Sequence, residues 1–152
     1  MRNTPEGIYA INGSKFQAIE LPSIREVRNK DYMFYGALNL FPQSLIELYD
    51  TSAIHHTCID SITAGIIGDG IEIIGSEYIN QKGETIDEIF EKISLDYTLY
   101  QGYAINVIWN KERTKISEMY HLPFANVRSG KPNEEDTVEE YMFSTDWANL
   151  RK

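Results

Sequence analysis

Hydrophobic positions along this chain recur at two spacings, and the changes between them mark the elements. Leu45, Leu48 and Tyr49 fall at helical intervals behind Pro42, whose missing N–H suits the first turn of a helix. Thr51 and Ser52 then offer hydroxyls to cap a second helix. Its apolar stripe is Ile54, Cys58, Ile62 and Ile66, spaced four apart, with Ile59 beside it. Gly65 lies near the end of that helix. Gly68-Asp69-Gly70 stops it, because glycine accepts the positive φ that other residues avoid. Ile71, Ile73 and Ile74 switch the pattern to a strand, and a polar loop runs from Gly75 to Glu84. Thr85-Ile86-Asp87-Glu88 has the spacing of a capping box. The helix it opens carries Ile86, Ile89, Phe90, Ile93, Tyr97 and Tyr100 on one face. Asp87, Glu88 and Glu91 occupy its first turns, where the helix dipole favours acids, and Gly102 is placed to end it.

From Tyr103 the period falls to two. Tyr103, Ile105, Val107 and Trp109 alternate with Ala104, Asn106 and Ile108, Asn110 to Thr114 turns, and Lys115 to His121 returns as a hairpin partner. Pro123 interrupts, and Phe124 to Arg128 reads as a short extended piece. Ser129 to Asp136 has loop chemistry, Val138 to Phe143 reads as a third strand, and Trp147 falls in the last polar turn. Residues 1–38 hold no sustained period and read as an extended arm, with a short strand at Lys15 to Leu21. Their Tyr32-Met33-Phe34-Tyr35 cluster must dock, either on the chain's own core or on a neighbouring copy. The expected division is an arm at 1–38, an α+β domain at 39–147, and a remnant at 148–152 that looks cut from a longer protein. Within the domain, two or three helices pack against a small antiparallel sheet.

Composition narrows the class. At 152 residues the chain suits one domain with a real core, and its 42% hydrophobic and 24% charged residues are those of a globular protein. A net charge of −9 argues against tight, nonspecific nucleic-acid binding, which relies on lysine and arginine neutralising phosphates. No apolar run approaches the ~20 residues that cross a bilayer, and the opening MRNTPEGIYA lacks the apolar core of a signal peptide. The single cysteine, Cys58, has no partner for an internal disulfide, and the usual burial of free cysteine predicts an inert, buried thiol made in a reducing cytoplasm. Ten tyrosines suit half-buried aromatic positions, at contact surfaces or in ordinary packing.

Candidate chemistry is sparse. His55 and His56 are adjacent and point about 100° apart on a helix. Only His56–Asp60 has ligand-like spacing, and an exposed ion pair explains it better than a metal. His121 stands at a strand end with no visible partner. The glycines at 65, 68 and 70 come after a helix and before a strand, the reverse of a dinucleotide-binding turn. The carboxylates at Asp87, Glu88 and Glu91, and at Glu134, Glu135, Asp136, Glu139 and Glu140, suit a helix start and a loop. No catalytic, cofactor-binding or metal-ligating residue is assigned. The rival enzyme reading would use His56, Asp60 and His121 as a metal or acid–base site.

The order of elements resembles the N-terminal part of tailed-phage portal proteins. The carrying residues are Asn39-Leu40-Phe41-Pro42, the helix Ser52 to Thr63, and Ala64-Gly65-Ile66-Ile67-Gly68-Asp69-Gly70. A helix ending Tyr100-Gln101-Gly102-Tyr103-Ala104 at the head of a strand is similar too, as is a hairpin closing on His121-Leu122-Pro123 and Val127-Arg128. The resemblance spans about residues 39–147, and none of its motifs is catalytic. It implies a structural, non-enzymatic role without cofactors, in the outer wing of a closed ring, usually dodecameric, at one capsid vertex. The implied partners are further copies of the chain, the terminase large subunit, and capsid and tail or adaptor proteins. DNA would pass through the ring without being held tightly, and no membrane is involved. The implied location is the virion's portal vertex, after synthesis in the bacterial cytoplasm. The tunnel helices and motor-docking clip of that family are not found in this sequence, so a wing fragment is expected. A stand-alone adaptor is the other alternative.

Overall fold

The computed structural model describes residues 22–71 and 78–149. The strand expected at Lys15 to Leu21, most of that expected at Ile71 to Ile74, and the chain's last three residues lie outside them.

Helix starts follow local chemistry. Helix α1 (Phe41–Thr51) carries Pro42 in its first turn. Ser52 then takes an extended conformation, and its hydroxyl accepts the His55 N–H at 3.3 Å to open helix α2 (Ala53–Ile67). Thr51, the other expected cap, instead donates its hydroxyl to Glu47 O within α1. Gly68 and Gly70, with φ of 55° and 84°, end α2 as expected. Helix α3 (Ile86–Tyr100) opens on the expected capping box: Thr85 Oγ1 accepts the Glu88 N–H at 3.2 Å, and Glu88 Oε2 accepts the Thr85 N–H at 2.9 Å. Its other end departs from expectation. Gln101, at φ 58°, takes the left-handed position, and Gly102 is small for another reason. A Cβ at Gly102 would lie 2.9 Å from the Phe124 ring.

The fold is α+β, as the pattern predicts, and among the described residues the strands form three antiparallel two-stranded ribbons. Strand β1 (Ile24–Glu26) pairs with β2 (Met33–Tyr35). Strands β3 (Ala104–Trp109) and β4 (Ile116–Leu122) form the expected hairpin, in register from Ala104↔Leu122 and irregular between Ile108 and Trp109. Strand β5 (Val127–Ser129) pairs with β6 (Tyr141–Phe143), so the third strand is shorter than expected and does not join the hairpin. A bridge between Tyr32 and Gly130 ties the first ribbon to the last. The extended piece expected at Phe124 to Arg128 is split. Asn126 N–H reaches back to Pro123 O at 2.9 Å, Phe124–Asn126 forms a 3-10 turn, and only then does β5 begin.

The buried apolar residues are Ile59 of α2, Ile89 of α3, Ala125 of the 3-10 turn, Val127 of β5 and Trp147, with α2 packed on α3 and the 3-10 turn on α1. The cluster at Tyr32 to Tyr35 docks on the chain itself: Tyr32 packs on Trp147, and Tyr35 on Phe124. The stripe expected on α2 is not what α2 buries. Ile59 and Thr63 face inward, the Thr63 hydroxyl donating to Thr98 Oγ1 of α3 at 3.1 Å. Ile54 is 81% and Ile62 55% exposed, and Cys58, expected buried, is exposed between them. The inward line sits one residue, about 100°, round the helix from the stripe. A hydroxyl satisfied on the partner helix can be buried without the penalty of an orphaned polar group.

Candidate functional site

The most interconnected polar site centres on Arg128, which is fully buried in β5. Its Nε donates to Asn39 Oδ1 at 2.6 Å. Its Nη1 donates to Ala125 O at 2.9 Å and Val127 O at 2.8 Å, and its Nη2 to Asn39 O at 2.8 Å and Gln43 Oε1 at 3.1 Å. The guanidinium lies between two aromatic rings, 4.9 Å from the Tyr35 centroid and 4.8 Å from that of Trp147. Asn39 suits its place on two counts. It tolerates the left-handed backbone there, at φ 64°, and its Oδ1 also accepts the Tyr35 N–H at 3.0 Å. Gln43 Nε2 donates to Ala125 O at 2.7 Å, locking α1 to the 3-10 turn. One side chain thus gathers β2, the entry to α1, the 3-10 turn and the Trp147 turn. Sequence reasoning noted Asn39 and Arg128 in separate runs and did not join them.

The histidines form two separate pairs. His56 Nε2 lies 3.1 Å from Asp60 Oδ2 with both side chains about half exposed, which is the ion pair expected. Tyr49 completes that cluster: its hydroxyl donates to Asp60 Oδ1 at 2.6 Å, and its ring stacks on His56 at 4.1 Å. His121 has the partner that the sequence does not reveal, Asp96 of α3, with Nε2 2.7 Å from Oδ2. The same oxygen accepts the Phe124 N–H at 3.0 Å, so Asp96 clamps the end of β4 and the 3-10 turn together. His56, Asp60 and His121 are therefore not brought into one site. Among the described residues, no group of three or more His, Cys, Asp or Glu side chains is placed to hold a metal ion.

The Tyr49 cluster predicts a titration. The hydrogen bond to Asp60 holds the phenol protonated and pushes its pKa from 10.0 up to about 12. Because the folded value is raised, any stabilisation from this contact is complete below pH 10 and fades as pH rises through about 12. An NMR titration of the Tyr49 ring carbons is expected to give a midpoint near 12, falling toward 10 in Asp60→Asn. A midpoint near 10 in the unsubstituted chain would contradict the contact.

The remaining surface is notable for apolar groups. The α2 stripe is accompanied by Ile105, Ile108, Trp109 and Ile116 on the hairpin, all at least a third exposed. A groove of about 390 Å³ lies between the first ribbon and α1, lined by Pro22, Phe41, Leu45, Tyr100 and Phe124 among others. Chemically, this arrangement offers a rigid scaffold and apolar contact faces. No family model, curated protein or solved structure matches the chain.

Proposed function

We propose that this chain is the wing-type region of a tailed-phage portal protein. It would be a non-enzymatic part of the ring at the capsid vertex through which DNA is packaged and ejected. The observation that carries the proposal is the meeting of two of the resembling runs at one buried side chain. Asn39 and Arg128, 89 residues apart, share two hydrogen bonds, and each belongs to a run on which the resemblance rests. Motifs without catalytic content that converge on the centre of a fold are what a structural family would carry. His121-Leu122-Pro123 belongs to the same frame, since Asp96 holds His121 and the turn after Pro123 delivers Arg128.

The exposed α2 stripe and hairpin residues supply apolar contact faces, which a ring subunit needs for its neighbours. The proposed partners are further copies, in a ring that is dodecameric by resemblance. Through the complete protein they extend to the terminase large subunit, capsid, and tail or adaptor proteins. The charge of −9 suits a wall that DNA passes without sticking. Among the described residues, no helix is long and apolar enough to cross a membrane, and the proposed location is the portal vertex of the virion. Negative-stain imaging of the product of the gene's complete reading frame tests the assembly. Closed rings are expected, and a product that stays monomeric at micromolar concentration would favour an adaptor instead.

A further inference from the structure

Two exposed faces of this chain are matched to each other. The first is the outer side of α2. Ala53, Ile54, Thr57, Cys58, Ser61 and Ile62 are all exposed there, and none is charged. Both hydroxyls on this face are satisfied within the helix. Thr57 Oγ1 donates to Ala53 O at 2.9 Å, and Ser61 Oγ donates to Thr57 O at 2.7 Å. A partner can therefore cover the face without orphaning a polar donor. The charge around it has one sign. From Asp31 to Gln81 the sequence holds no lysine or arginine, while Glu47, Asp50, Asp60 and Asp69 are exposed on and beside α1 and α2.

The second face is the tip of the β3–β4 hairpin. Trp109 and Ile116 stand opposite each other in the ladder and are 52% and 48% exposed. The turn between them carries Lys111, Arg113 and Lys115 against a single carboxylate, Glu112, and all four are exposed. Tryptophan and arginine are enriched among the residues that anchor protein contacts. The α2 face and the hairpin tip are each exposed within one copy, so neither covers the other there.

We propose that the hairpin tip of one copy docks on the outer face of α2 of a second copy. Trp109 and Ile116 pack on Ile54, Cys58 and Ile62, while Lys111, Arg113 and Lys115 meet the acidic rim. Charge selects this pairing. Two α2 faces together would oppose carboxylates, and two tips would oppose cations, whereas tip on α2 joins opposite signs. A net charge of −9 sets the rest of the two surfaces against each other, which disfavours other approaches. The contact is head-to-tail. Each copy therefore keeps a tip or an α2 face for a further neighbour, and repetition gives a closed ring or an open filament. The contact rests on the portal reading only for its closure into a ring.

Mixed crosslinking of the full chain tests it. The unsubstituted chain offers one thiol, Cys58 on α2. A second preparation, Cys58→Ser with Ile116→Cys, offers one at the hairpin tip. Treated together with a short bismaleimide at high micromolar concentration, they are expected to give mixed dimers at least about fivefold over like pairs. Adding Arg113→Glu and Lys115→Glu to the tip partner is expected to lower that yield about tenfold, and salt is expected to lower it too. Absence of mixed dimers overturns the proposal, as do like pairs in equal yield or a yield that the charge reversal leaves unchanged. The same crosslink in the product of the complete reading frame separates this contact from the portal reading. Rings that form without it overturn the contact alone. The crosslink in a product that never closes into rings overturns the portal reading and supports the contact.

Discussion

Replacing Arg128 with methionine is expected to lower the unfolding free energy by about 3–5 kcal/mol, a large part of what a domain of this size holds. Methionine fills much of the volume but donates nothing. The substitution strands Asn39 O, Val127 O and Gln43 Oε1 in the places where the guanidinium now serves them, while Asn39 Oδ1 keeps the Tyr35 N–H and Ala125 O keeps Gln43 Nε2. A buried acceptor left without its donor costs about 1–3 kcal/mol, and local relaxation keeps three such losses from adding in full. The planar group between Tyr35 and Trp147 is also lost. Arg128→Lys is expected to lose nearly as much, because one ammonium cannot span acceptors arranged for a fork. Guanidinium denaturation of the unsubstituted and substituted chains measures it. A loss below about 1 kcal/mol would show that the fold does not depend on this centre.

Ile89→Ala is expected to cost about 2–5 kcal/mol, by removing buried methyl groups and leaving a cavity between α3 and its neighbours. Ile89 is fully buried. The informative comparison is Ile62→Ala on α2, where the side chain is 55% exposed and the change is expected to stay within about 0.5 kcal/mol. The same chemical deletion thus distinguishes the helix face that holds the monomer together from the one left for contacts. Equal losses at the two positions would mean that the α2 stripe is core.

That contrast also locates the limits of sequence reasoning. Helix starts were legible because their causes are local. Pro42, Ser52 and the Thr85–Glu88 box each act within one turn. The hairpin was legible from its alternation and the turn between its strands. The inward face of α2 was not, because isoleucines at 54, 59, 62, 66 and 67 surround the helix. Periodicity selects their longest row, whereas the position of α3 selects Ile59 and Thr63. The end of α3 was misplaced by a residue because Gln101 adopts the left-handed conformation usually left to glycine.

Long-range polar pairs leave still less trace. Asp96 sits on α3 among residues that read as its polar side, and nothing near it in sequence points to His121, 25 positions on. Arg128 follows a valine in a short run after a proline, and its burial depends on a 3-10 turn that the pattern does not announce. The resemblance drew attention to Arg128 and Asn39 as members of motifs. Only the fold shows that they touch. The candidate site was therefore legible as residues and illegible as a site.

The central claim is that this chain is built into a phage portal, and protein quantification in purified, nuclease-treated virions tests it most directly. The particles come from the element that encodes the gene. The account predicts peptides from residues 39–147 at the copy number of a single ring per particle, far below the major capsid protein. Particles that contain capsid and tail proteins but no peptide of this chain would contradict it.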